Sequence, residues 1–322
     1  MERGQPVKKR IPVILDTDIG NDIDDTWALV FALLRDELDI RLVTTVLGDP
    51  IYSAKLVAKL TGVCEKAPID IGLGKRGSEP ARYQGKWVAD YDLASYRGRI
   101  YEDGVARMLE VIRDCGETVT ILGMGPCTNL AEALRRDPHI AEKVRVISIF
   151  GGLFRGYFGS APCPEYNVHQ DIEAAKAVLA GYPHLLISPI DTFFDVVLDG
   201  VRLERIRRMR DRDGAKLVMS DIPGCGDRSA PFRPVLENFD IWADSYPLWR
   251  DKPRDRTSEL CDVLPVYLAI TNEGLINRTY RLEIAEKGLT RVSDAGVPVE
   301  VAIEWSDRDR VLDFLTDTFC ES

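Results

Sequence analysis

Short apolar runs rich in β-branched residues alternate along this chain with longer stretches whose apolar positions recur at helical spacing. The run IPVIL (11–15) predicts a buried strand, and the stretch from Asp24 to Leu34 an apolar helix. IRLVTTVLG (40–48) predicts a second strand, and SAKLVAKLTG (53–62) a helix closed by Gly62. The rhythm continues with helix 104–115, strand 118–123, helix 127–136, strand 144–152, helix 171–181 capped by Asp171, and strand 184–189. This alternation predicts a single-domain α/β fold over 1–322, an open, mostly parallel, Rossmann-like sheet flanked by helices. Beyond Asp191 the rhythm blurs. Residues 199–250 read as mostly helical around DIPGCGDRSAPF (221–232), residues 279–305 alternate like a hairpin, and Ser306 reads as the N-cap of a final helix. Residues 1–10 read as a flexible N-terminus.

Composition narrows the classes. A formal net charge of -10 argues against nucleic acid or an anionic membrane as a partner held by general electrostatics, and favours a small molecule. The 45% hydrophobic content supplies a substantial core, yet no apolar run approaches membrane-spanning length. Seven cysteines without a CxxC pair do not suit a disulfide framework; a reducing, cytoplasmic location fits them.

The chemistry concentrates where strands hand over to helices, because ligands in open α/β sheets bind beyond the carboxyl ends of the strands. The stretch ILDTDIGNDIDD (14–25) holds Asp16, Asp18, Asp22, Asp24 and Asp25. One or two of these can cap a helix, but five exceed what capping uses, and hard oxygen ligands at this density suit Ca²⁺ or Mg²⁺. Asp262 stands inside the apolar run SELCDVLPVYLAI (258–270), where it reads equally as a helix cap or as a ligand. GMGPCTN (123–129) has glycines that can expose a main-chain carbonyl, and it lacks the lysine of a phosphate-binding loop. Glu165 and Asn167 read as loop residues able to hydrogen-bond a polyol. With only His139, His169 and His184 in the chain, general acid–base work falls mainly on carboxylates.

Together these motifs resemble the inosine-uridine-preferring nucleoside hydrolase family. Its opening signature DxDPGxDDxxAL is similar to Asp16-Thr17-Asp18-Ile19-Gly20 followed by Asp24-Asp25-Thr26-Trp27-Ala28-Leu29. VTTVLGD (43–49), GPCTNLA (125–131), EYN (165–167), DIEAA (171–175), PID (189–191), Cys261-Asp262 and KGLTR (287–291) follow in the family's order. The resemblance implies hydrolysis of the N-glycosidic bond of ribonucleosides with a bound Ca²⁺, Mg²⁺ being the lesser fit, in a homo-oligomer that is a dimer or tetramer. Asp18 matches the carboxylate that contacts Ca²⁺ and acts as general base on the attacking water. Asp25 and Asp262 match side-chain ligands, and Thr128 a main-chain carbonyl ligand. Asp24, Asn167 and Glu165 match ribose-binding positions.

Several residues depart from the family pattern. Two extra residues before Asp24 make Asp22 a further candidate ligand, and Ile19 replaces a proline. Asp49 and Ser160 stand where substrate-contacting asparagines occur. Cys261 replaces, as in some branches, a histidine thought to protonate the leaving base, so it occupies a catalytic position with a poorer acid. Asp49 and the Tyr and Trp residues of EPARYQGKWVADY (79–91) are candidate base contacts. Three readings stay open beside hydrolysis of standard ribonucleosides: a non-catalytic nucleoside or ribose binder, a hydrolase of an unusual N-riboside, and a haloacid-dehalogenase-type phosphotransferase. The last needs a downstream acidic pair that GCGDRSAP (224–231) does not supply.

Overall fold

The first strand, β1 (Ile11–Thr17), is buried along nearly all its length because successive side chains feed opposite layers: Val13 and Leu15 enter one core, Ile14 the other. The computed structural model describes residues 9–78, 81–216 and 232–320. After β1 come α1 (Asp24–Leu34), β2 (Leu38–Thr45), α2 (Pro50–Val63), β3 (Ile71–Leu73), β4 (Ile100–Tyr101), α3 (Gly104–Asp114), β5 (Val119–Gly123), α4 (Thr128–Arg136) and β6 (Val144–Ile149). The chain continues through α5 (Tyr166–Gln170), α6 (Ile172–Gly181), β7 (Leu185–Ser188), α7 (Ile190–Phe193), α8 (Gly200–Lys216) and α9 (Phe232–Ser245). It ends with α10 (Val263–Ile270), β8 (Leu275–Ile284), β9 (Thr290–Val292), β10 (Val297–Trp305) and α11 (Arg308–Cys320).

All the strands join one sheet in the order β4-β3-β2-β1-β5-β6-β7-β10-β8-β9. The pairings from β4 across to β10 are parallel, whereas β8 runs antiparallel to both β10 and β9. One core packs α1, α2, α9, α10 and α11 on one face, and the other packs α3, α4 and α6 on the opposite face. From β1 the chain works outward to β4 and then returns to β5 on the other side of β1. The strand order therefore reverses between β1 and β5, the place where such sheets open a crevice for a ligand.

The mostly parallel α/β sheet agrees with the periodicity, and α1 has the bounds its pattern predicts. The departures have local causes. β3 and β4 are three and two residues long, too short to leave a period in the sequence. Gly62 lies inside α2, and the left-handed position after the helix falls on Glu65 (φ 51°). Asp307, not Ser306, caps α11, its carboxylate accepting from Arg310 N at 3.0 Å. The expected hairpin is three-stranded, with β8 between β9 and β10. Asn167 lies inside α5 and Glu165 is its N-cap, so neither is a free loop residue. Most of the expected flexible N-terminus and the GCGDRSAP segment lie outside the described residues.

Helix α1 is buried on nearly every side, and Trp27 is the largest side chain sealed beneath it, edge-on to Phe319 at 5.2 Å and to Phe239 at 6.2 Å. Trp27→Ala is expected to cost about 3–5 kcal/mol, read as a lower melting temperature; an unchanged melt would contradict this account of the α1 packing.

Candidate active site

The end of β1 divides its side chains by alternation. Asp16 points into the sheet, where its Oδ1 accepts from Thr44 Oγ1 at 2.5 Å and Asn129 Nδ2 at 2.7 Å, while burial pushes its carboxyl up to about 6. Its main-chain carbonyl accepts from Met124 N at 2.8 Å, which binds the loop after β5 to the end of β1. Thr17 points to the other face and donates its hydroxyl to Asp25 Oδ1. Asp18 follows at the mouth of the crevice against Gly125, where an added Cβ would lie 3.0 Å from Asp18 Oδ1 and 2.6 Å from Val46 Cγ1.

Asp24 and Asp25 occupy the first turn of α1, whose N-cap is Ile23 with no side-chain cap. Asp262 holds the N-cap position of α10, yet its side chain caps nothing and its buried Oδ1 has no hydrogen-bond partner. The cap reading of Asp262 therefore fails, and its carboxylate faces the cluster instead. One oxygen from each of Asp24, Asp25 and Asp262 lies within 4.8 Å of the others, all three side chains being buried. Burial first, and the neighbouring carboxylates second, hold Asp18, Asp24, Asp25 and Asp262 well above the usual carboxylate range. Hard oxygen donors converging on one point, with an orphaned buried oxygen among them, fit a divalent cation.

A cavity of 290 Å³ opens beside this cluster, lined by Asp18, Asp22, Asp24 and Asp25 together with Glu165, Tyr166 and Asn167. Asp22 accepts from Ile23 N at 2.7 Å, and burial pushes its carboxyl up to about 6. Glu165 accepts from Asn167 N at 2.8 Å and Val168 N at 3.0 Å; burial still pushes it up to about 7. Asn167 Nδ2 donates to Met124 O at 2.8 Å, and its buried Oδ1 is unpartnered. Cys261 also lines the cavity, a buried thiol held well above its ordinary value first by burial and then by the surrounding carboxylates.

Three expected site residues are not among those lining the cavity. Thr128 begins α4, and its hydroxyl donates to Asp171 at 2.9 Å. The main-chain carbonyl bonded to a cavity side chain is that of Met124, four residues earlier. Asp49 caps α2 and pairs with Arg82 at 2.8 Å outside the cavity lining. Ser160 is exposed and directs its hydroxyl to Ala161 O. In the 79–91 segment, Trp87 is buried under Lys59, and Tyr83 packs on Tyr246 at 4.9 Å behind the cavity wall. Tyr157, Phe193, Phe194, Tyr246 and Glu259 line the cavity without having been singled out from the sequence. Their only signal is proximity to a recognised motif, as for Phe193 and Phe194 after PID and Glu259 before Cys261-Asp262.

Fold and site define an α/β protein with an acidic, metal-suited cavity at the switch point of its sheet. Residues 13–313 match the model of the inosine-uridine preferring nucleoside hydrolases. The non-specific ribonucleoside hydrolase RihC of Klebsiella pneumoniae is 30% identical over 310 residues, covering 93% of this chain and 96% of that one. Uridine nucleosidase 1 of Arabidopsis thaliana is 33% identical over 194 residues, about half of each protein (55% and 56%). Among solved structures, a plant nucleoside hydrolase superposes with a TM-score of 0.75 at 23% identity over 97% of this chain and 99% of its own. An inosine-uridine preferring nucleoside hydrolase from Bacillus anthracis gives 0.72 at 20% identity over 97% and 100%. The chain belongs to the inosine-uridine preferring nucleoside hydrolase family.

Because a Cβ on Gly125 would lie 2.6 Å from Val46 Cγ1 and 2.9 Å from the main-chain N of Asp18, Gly125→Ala is expected to cost about 1–3 kcal/mol, read as a lower melting temperature. An unchanged melt would show that the end of β1 yields without consequence.

Proposed function

We propose that this protein hydrolyses the N-glycosidic bond of ribonucleosides, releasing ribose and the free base, with Ca²⁺ as its metal. The observation that carries the reading is the convergence of Asp24, Asp25 and Asp262 on one point, two of them lining, with Asp18, a cavity of nucleoside size. Asp25 and Asp262 would hold the cation on both counts, by family position and by geometry. Asp24 and Asp18 adjoin them, Asp22 lines the same cavity, and the Met124 carbonyl is the main-chain oxygen near the cavity. Ca²⁺ fits a set of mixed carboxylate and carbonyl oxygens better than Mg²⁺, which demands a tighter octahedron. When bound, the cation supplies Lewis acidity toward a water and offsets the charge of the carboxylates.

The chain's own residues do the rest. Asp18 takes the proton of the attacking water, its carboxylate standing at the cavity mouth between the cluster and Glu165. Asp24, Glu165 and Asn167 bind the ribose hydroxyls; the unpartnered Asn167 Oδ1 is an acceptor ready for one of them. As the bond to the base breaks, positive charge grows at C1′, and the surrounding carboxylates stabilise it. Cys261, a neutral buried thiol, is a weak proton donor to the leaving base. On the same reading the protein is a cytoplasmic homo-oligomer, and the free cysteines among the described residues suit a reducing compartment.

A reducing-sugar assay against purine and pyrimidine ribonucleosides tests this directly. Release of ribose is expected to stop on chelation and to return with Ca²⁺ more fully than with Mg²⁺. Silence across the panel, with metal bound, would overturn the hydrolase reading. Within the active protein, Asp18→Ala is expected to lower kcat about 10²- to 10⁴-fold, and Cys261→Ala by clearly less. Equal losses on inosine or uridine would make the thiol a participant in proton transfer.

A further inference from the structure

The sugar-directed groups account for one part of the cavity only. Besides Asn21 and Ile149, what remains of the lining is four aromatic rings, Tyr157, Phe193, Phe194 and Tyr246, with Cys261 and one charged side chain, Glu259. Flat aromatic surfaces suit a planar heterocycle. Glu259 differs from the other carboxylates lining the cavity: among the described residues it is the one with an arginine at ion-pair distance, Arg256 Nη2 lying 2.6 Å from its Oε1. Its charge is thus balanced without a metal, and its second oxygen stays available as an acceptor.

Glu259 is also held in place. Thr257 N donates to Leu198 O at 2.8 Å and Leu260 N to Val196 O at 2.7 Å, so the main chain is anchored on both sides of it. Arg256 lies over the Trp249 ring at 5.6 Å, and Trp249 packs on Trp242, which packs on Tyr246 of the cavity wall. A pinned carboxylate lining the cavity beside Tyr246 is a preorganised hydrogen-bond acceptor.

Resting on the hydrolase reading above, we infer that Glu259 is a specificity-determining residue whose free carboxylate oxygen accepts the ring N–H of the nucleobase. It favours bases with such a donor, the uracil and hypoxanthine type, over bases with a bare ring nitrogen at that edge. Acceptor-to-acceptor contact with a bare nitrogen leaves the carboxylate unpaired, which is how polar sites reject near-isosteres.

The test compares uridine with N3-methyluridine, and inosine with 1-methylinosine, in the full-length metal-loaded protein and in Glu259→Ala and Glu259→Gln. In the parent protein, methylation is expected to lower kcat/KM about 10- to 100-fold, the scale of a hydrogen bond to a charged group. In Glu259→Ala that ratio is expected to fall toward one, mainly through KM, with Glu259→Gln in between because its amide oxygen still accepts. A methylation penalty that survives in Glu259→Ala, or equal loss on methylated and unmethylated substrates in both variants, overturns the inference and leaves the hydrolase reading standing. A parent protein that cleaves none of the four overturns both.

Discussion

Mutual repulsion among buried carboxylates is the constraint on which the rest of this structure depends. Burial raises the proton affinity of Asp18, Asp24, Asp25 and Asp262, and the neighbouring carboxylates raise it further. The fold offsets part of this with helix ends. Asp24 and Asp25 sit in the first turn of α1 and Asp262 at the start of α10, so the positive ends of two helix dipoles lie at the cluster. Each helix end carries only about half a unit of positive charge. Several negative charges are left over, so the site is stable when it holds protons or a cation, and a divalent ion answers that need within the same space.

The cluster's geometry is fixed by polar contacts between distant parts of the chain. Asp16 ties Thr44 of β2 and Asn129 of α4 to the end of β1, and its carbonyl ties in Met124 after β5. Met124 in turn receives Asn167 from α5, and Thr17 secures Asp25. The sheet order supplies the crevice, but these bonds set where each carboxylate stands within it. A side chain outside the cavity lining, Asp16, is thereby as necessary to the arrangement as those that face the cavity.

What could be read in the sequence follows from how local each cause is. The long apolar strands and α1 announce themselves because every residue obeys one period, whereas β3 and β4 are recruited by their neighbours and carry no period of their own. Asp262 was conspicuous as a charge in an apolar run, but only the absence of a capping bond distinguishes ligand from cap. The carbonyl of Met124 that receives Asn167 carries no side-chain signal, so a main-chain acceptor leaves nothing to read in the sequence. Asp49 and Ser160 lie outside the cavity lining because local contacts, to Arg82 and to Ala161, hold their side chains, and such contacts leave no pattern in the sequence.

The residues lining the cavity divide by chemistry into an acidic part, dominated by short motifs, and an aromatic part drawn from residues 157, 193, 194 and 246 on segments that read as ordinary core. On the proposed reading this division has a chemical meaning. Stabilising positive charge at the sugar requires negative groups, which the acidic part has in excess. Assisting the base to leave requires a proton donor, which Cys261 supplies poorly because burial among carboxylates holds its thiol neutral. Catalysis therefore leans on charge stabilisation at C1′ and on orientation of the base against the aromatic lining, and less on protonation of the leaving group. The physical demand on the aromatic part is then to recognise a base rather than to activate it, a task for shape and fixed hydrogen-bond acceptors.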